Sequence, residues 1–429
     1  MSTPRNIQQP GPEWERSPFG IEPKWTAESS IAIIKTLASQ ALECGCAVAF
    51  LAEGAFNKVY SVDCSKGAYV FRVALPVAPR VKTLSEVATL SFIREKTSIP
   101  VPAVTAYSAD FTNELGFEWI LMDRVRGRPL KEQWKLMSWL EKQILVQKMV
   151  SFMSELSRLE LSGIGSVYEA QASSTADDEV ASGQGHVVGE TVLPAFFMDD
   201  HIRLDVNRGP YATSSSYVTA HAAFLHHDFT AMSLSPKASR RSEGEKLLAQ
   251  LTKLSSIIAR LFPNTTQEEH SYIAHQDLSV ANIMVDDAGV LTGIIDWEST
   301  VAAPRWQACK IPRFLAGGNE DEVPDWLTGE ELQDEEVVQG YDEAVFDYEQ
   351  TQLRRFFLEE MARVDPQWVQ TYNAESTRRD VMVAMESLYN GMRVKCVKKW
   401  MDCVLEGRTP MMTLFDAVMD PLELPKDWA

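Results

Sequence analysis

The stretch His275 to Glu298, HQDLSVANIMVDDAGVLTGIIDWE, constrains this chain more than any other. A short apolar run, Tyr272, Ile273 and Ala274, reads as a strand entering a polar loop that presents Asp277. Asn282 follows five residues later, and Ile283, Met284 and Val285 read as a buried strand. Asp286-Asp287-Ala288-Gly289 has the composition of a hairpin turn, so Val290 to Ile295 is expected to return as the partner strand and deliver Asp296. One loop and one hairpin thus bring Asp277, Asn282 and Asp296 toward a common point.

Phosphoryl transfer to a hydroxyl needs that set of groups. One carboxylate orients and deprotonates the attacking hydroxyl, while a second carboxylate and an amide oxygen hold Mg2+ on the nucleotide phosphates. Mg2+ is a hard cation that takes oxygen ligands, which suits Asp and Asn. The kinase pattern puts the Asn five residues after the base and a second Asp after the next hairpin, and both spacings are met here. Asp277 is therefore read as the catalytic base and Asn282 and Asp296 as the metal ligands.

On HQD at 275–277 and IDWE at 295–298, the chain resembles the aminoglycoside phosphotransferase family, most closely its fungal branch. The resemblance runs from about Gly54 to the last helices. It implies an α+β, two-lobed protein-kinase-like fold: a five-stranded antiparallel N-lobe with one main helix, then a mostly helical C-lobe. The implied organisation is a flexible arm at 1–28, a nucleotide-binding N-lobe at 29–125 and a C-lobe at 126–429. The C-lobe holds the catalytic loop 275–298 and a flexible insertion at 171–189, rich in Ser, Ala, Gly and acids. The implied cofactors are ATP and Mg2+, and the implied activity is transfer of the γ-phosphoryl to a small hydroxylated molecule.

The remaining site residues follow from position. Strand-like runs at Cys46–Leu51, Val59–Val62 and Tyr69–Val73 flank a turn at Gly54, which is either a phosphate-covering loop or an ordinary hairpin turn. Arg72 stands where kinases carry the strand lysine that grips the phosphates; its other reading is a solvated edge-strand residue. Glu86 either pairs with Arg72 or, with Thr83, forms a capping box that starts a helix. Met122, Asp123 and Val125 occupy the expected hinge, where backbone groups would meet adenine.

Other polar residues are tempting. His226-His227-Asp228 imitates the catalytic HxD but has Ser233 where Asn is needed, so it is read as structural. His275 is read as holding the loop's shape, and Glu298 as support for the metal Asp or a solvated residue. The acidic run 320–343 reads as a solvated face, with a role in contacting aminated substrates left open.

Composition supplies the exclusions. A formal net charge of -19 disfavours nucleic acid as a partner and is compatible with a cationic substrate. Six cysteines without CxxC spacing read as reduced thiols, no His or Cys pair has zinc spacing, and no apolar run approaches a membrane span. The expectation is a cytoplasmic protein without a membrane partner. Two rivals remain. A protein Ser/Thr kinase needs a long segment after the metal Asp, but Ala303-Pro304-Arg305 arrives only seven residues after Asp296. A nucleotide-binding pseudokinase or scaffold usually lacks the base or a metal ligand, and here Arg72 is the one departure.

Overall fold

In the computed structural model, the residues described are 12–17, 20–170, 185–329, 331–391, 393–419 and 428. Five strands form the small-lobe sheet, in the spatial order Cys46–Glu53, Asn57–Cys64, Gly67–Ala74, Glu118–Asp123, Val104–Ser108, and each pair is antiparallel. Alternation along the strands divides the sheet's two faces. Tyr60, Val62, Phe71, Val73 and Leu121 point to one face and pack with Ile34, Ala38 and Leu42 of the helix Ile31–Leu42. Ser30 caps that helix by accepting the Ile33 N–H, and Glu43 ends it in the left-handed conformation (φ 51°). Arg72, between Phe71 and Val73, therefore faces the other way, toward the helix Val81–Lys96.

The large lobe is mostly helical. Trp139–Leu156 begins with a capping box between Ser138 and Glu141. It packs against the long helix Glu335–Val364, whose Asp334 cap accepts the N–H groups of Glu336 and Val337. Ser214–Ser233 and Ala238–Leu261 form an antiparallel pair, leading into the strand His270–Ala274. One core cluster runs through both lobes: Val87, Leu90 and Ile93 of the small-lobe helix share it with Met149, Phe152, Leu353 and Phe357. The lobes are thus joined by buried apolar surface as well as by the chain.

The expected two-lobed α+β architecture is present. Glu13–Ser17 and Gly20–Lys24 form a hairpin within the expected N-terminal arm, held to the large lobe by an ion pair between Arg16 and Asp199. Of the expected insertion 171–189, residues 171–184 lie outside the described residues, while His186–Gly189 is a strand paired with Ser166–Glu169. His186 stacks edge-on against Phe92 of the small-lobe helix at 5.3 Å. The acidic run 320–343 supplies caps and exposed ion pairs, such as Asp321 with Arg355 and Asp342 with Lys135. No helix among the described residues is long and apolar enough to cross a membrane.

Candidate active site

Ile283–Val285 pairs with Leu291–Ile294, and the turn between them closes on Asp286, whose carboxylate accepts the N–H groups of Ala288 and Val290 at 2.9 Å each. Gly289 takes φ 73° there, a conformation that a side chain would strain. Asp286 is therefore a turn residue, as its composition implied. The Ile295 N–H donates to the Asn282 carbonyl at 3.0 Å, so the end of the hairpin lies beside the start of the loop.

Asn282 faces Asp277. Its Nδ2 donates to the Asp277 carbonyl at 2.8 Å and to the Asp277 carboxylate (Oδ2) at 3.0 Å. With the amide nitrogen so engaged, the Asn282 side-chain oxygen is turned away as an available acceptor. His275 keeps the loop in shape. Its Nδ1 accepts the Asp277 N–H at 3.1 Å, and its Nε2 lies 3.2 Å from the Ile295 carbonyl. Burial pulls its pKa down to about 4, so the ring is neutral and packs edge-on against Trp297 at 4.7 Å.

Arg72 is buried, in the third of the five strands, and pairs with Glu86. Glu86 lies inside its helix, which starts at Val81 behind Arg80 without a side-chain cap. Both alternative readings of these residues, the edge strand and the capping box, are thereby removed. Arg72 Nη1 also reaches Asp296 Oδ1 at 3.4 Å. Asp296 and Ser299 both have positive φ, 63° and 56°, so Asp296-Trp297-Glu298 turns sharply where it meets Arg72.

Glu298 proves to be the centre of a buried cluster. It accepts from Lys82 Nζ at 2.6 Å and from Asn57 Nδ2 at 2.7 Å, and Arg72 Nη2 lies 3.9 Å away. Lys82 also donates to Asn57 Oδ1 at 3.0 Å. Burial alone would raise the Glu298 pKa, but Lys82 and Arg72 outweigh it and hold the carboxyl down to about 2. Asp296 moves the other way. Burial, then the charge of Glu298, pushes it up to about 6 against Arg72 and Lys82. Sequence reasoning missed Lys82 and Asn57. Lys82 precedes Glu86 by one helical turn, which was the available signal.

Gly54 sits in the turn between the first two strands, and its N–H donates to the Asn57 carbonyl at 2.9 Å. Phe56 beside it packs edge-on against Phe197 of the large lobe at 5.2 Å. Through Asn57 this turn is tied to Glu298. At the hinge, Met122 pairs with Val70 inside the sheet, and its side chain belongs to the core. The Asp123 N–H donates to the Ala103 carbonyl and the Arg124 N–H to the Ala68 carbonyl. Met122 is thus held in the sheet and the core, while Asp123 ends the strand and Val125 lies beyond it.

The decoy His226-His227-Asp228 lies in the helix Ser214–Ser233. Asp228 bonds to His201 Nε2 at 2.9 Å and to the Tyr389 hydroxyl, which ties three distant segments together. Arg208 donates to the carbonyls of Phe196 and His201, fixing the loop before that helix. None of the six cysteines forms a disulfide.

The donor set fits a hard divalent cation. The Asn282 amide oxygen and the Asp296 carboxylate are oxygen ligands, and Asp296 carries a charge that Arg72 only partly balances.

The Subtelomeric hrmA-associated cluster protein of Aspergillus fumigatus is 27% identical over 350 residues, 71% of this chain and 68% of that protein. The Altered inheritance of mitochondria protein 9, mitochondrial, of Meyerozyma guilliermondii is 32% identical over 123 residues, 27% of this chain and only 20% of that protein. Among solved structures, aminoglycoside phosphotransferase APH(4)-Ia aligns over 89% of this chain and 100% of its own, with TM-score 0.47 and 15% identity. Residues 47–307 match the model of the Phosphotransferase enzyme family, APH, and the chain belongs to that family.

Proposed function

We propose that the protein is a small-molecule kinase that transfers the γ-phosphoryl of ATP to a substrate hydroxyl. The observation that supports this reading best is the meeting of Asp277, Asn282, Asp296 and the Arg72–Glu86 pair in one cleft, with no element of the set lost. Arg72 grips the phosphates and Glu86 holds it in place. The Gly54 turn lies over the phosphates, and the Asp123 carbonyl and Val125 backbone meet adenine. Mg2+, held by Asn282 and Asp296, would supply charge neutralisation at the β- and γ-phosphates. Asp277 orients the acceptor and takes the proton. The acceptor oxygen bonds to the γ-phosphorus as the bond to the β–γ bridging oxygen breaks, and ADP departs with that electron pair.

A protein-kinase reading is disfavoured by the strand Val301–Pro304, which pairs with His270–Ala274 immediately after the metal-binding segment and leaves no peptide platform there. The pseudokinase reading rests on Arg72 alone, and its pairing with Glu86, the partner that the strand cation needs, favours the kinase reading over it. Thermal unfolding with ATP, with and without Mg2+, beside a screen for ATP-dependent phosphorylation of hydroxylated metabolites, tests the proposal. Magnesium-dependent stabilisation plus phosphoryl transfer is expected. Stabilisation without transfer to any acceptor would favour the scaffold.

A further inference from the structure

The side of Asp277 turned away from Asn282 is cationic. Asp277 Oδ2 takes the Asn282 amide, while Oδ1 takes Arg313 Nη1 at 3.0 Å. Arg313 is 71% exposed, so its guanidinium stands in the open cleft and not in the core. Lys310, three residues earlier on the same segment, points its ammonium at the Gln276 side-chain oxygen at 3.2 Å. Among the described residues no carboxylate comes within ion-pair distance of Lys310, although burial penalises its charge. Glu386 and Asp277 act on Lys310 from farther away, and Arg313 and Arg393 act on Glu386 in turn. Lys310, Arg313 and Arg393 therefore act on Glu386, and Lys310 and Arg313 also act on the base itself, in a chain whose net charge is -19.

A half-buried ammonium without a counter-ion is costly, and a ligand anion removes that cost. Bringing an aminated substrate beside Lys310 and Arg313 adds like-charge repulsion instead. We propose, building on the kinase reading above, that the acceptor is a hydroxylated molecule bearing an anionic group, a carboxylate or a phosphate, which Arg313 and Lys310 bind. The anion draws Arg313 off Asp277 Oδ1 and leaves that oxygen to the acceptor hydroxyl. This runs opposite to the cationic substrate that the net charge alone invites, because local charge at the acceptor face decides recognition.

The test uses the full chain with Mg-ATP and three acceptors on the same pyranose ring: glucose, glucosamine and glucuronate. Glucuronate is expected to show the highest kcat/KM, above glucose by on the order of tenfold, the range of a hydrogen bond to a charged group, with glucosamine lowest. Arg313→Ala should raise KM for glucuronate and erase the preference, and Arg313→Lys should restore part of it. Glucosamine or glucose matching glucuronate would overturn the proposal. So would an equal loss of kcat on all acceptors in Arg313→Ala, which would make Arg313 a contact of the transferred phosphoryl.

If none of the three is phosphorylated, a binding measurement decides. With ADP and Mg2+ saturating, sodium sulfate should raise the unfolding temperature above sodium chloride at matched ionic strength. The rise should shrink in Arg313→Ala/Lys310→Met, a control for the general stabilisation by sulfate. No excess rise, or the same rise in the double variant, overturns the anion site. Failure of ADP and Mg2+ to bind would instead count against the kinase reading, and the sulfate comparison is then scored on the free chain.

Discussion

At the scale of single residues, Asp277 and Arg72 carry the sharpest expectations. Asp277→Asn removes the proposed base and keeps the shape of the loop, so turnover should fall by about 10²–10⁴-fold while calorimetry shows Mg-ATP binding close to wild type. Turnover within a few fold of wild type would remove Asp277 from the chemistry. Arg72 and Glu86 form one buried unit, so their truncations should not add. Arg72→Ala and Glu86→Ala should each slow turnover, and the double variant should be little worse than Arg72→Ala alone. Because Glu86 lies inside its helix and caps nothing, Glu86→Gln should also slow the enzyme. A full-rate Glu86→Gln enzyme would mean that the phosphate grip does not depend on this pair.

At the scale of elements, two buried ion pairs tie segments together. Lys82 on the small-lobe helix meets Glu298 after the large-lobe hairpin. Lys82→Met would leave Glu298 buried without its main partner, at a cost of about 3–5 kcal/mol in urea unfolding. Lys82→Met/Glu298→Gln should recover part of that loss. His201 and Asp228 join the loop before the helix Ser214–Ser233 to the helix itself. Burial alone would depress the His201 pKa, but the hydrogen bond and charge of Asp228 raise it overall. Burial would raise Asp228, yet His201 and Tyr389 bring it down. The His201 contribution is full below its ordinary value and fades as pH rises through the raised one. The Asp228 contribution is full above its ordinary value and fades as pH falls through the depressed one. Asp228→Asn should therefore destabilise more at pH 5.5 than at pH 9. An equal loss at both pH values would show that the pair is not ionised as described.

At the scale of the whole molecule, the cleft joins two lobes that already share a core. A ligand that binds only the folded cleft stabilises by mass action, about 2.7 kcal/mol at a hundred times its Kd. ATP with Mg2+ should raise the unfolding temperature in one cooperative step. Asp296→Ala should remove the magnesium-dependent part of that rise, since it takes away the proposed cation ligand, which ends the hairpin and meets Arg72. An undiminished magnesium effect in Asp296→Ala would take this residue out of the metal site.

The sequence by itself determined what depends on neighbours along the chain. Alternation marked the strands around Phe71 and Val73, the Asp286–Gly289 turn set the hairpin, and the 277–282 spacing brought Asn282 to Asp277. Even Glu86 was legible, though not its choice between capping and pairing, because both fit the same helix start. Only the tertiary structure decided the partners across long separations. Asn57 and Lys82 gather on Glu298, His201 meets Asp228, and Arg313 turns onto Asp277. The Glu13–Lys24 hairpin was hidden for a related reason: its residues have no clear alternation, and Arg16 finds its partner at Asp199. A periodic pattern records which face of an element is buried. It does not record which distant charge lies opposite, since that follows from how the elements pack and leaves no local trace in residue order.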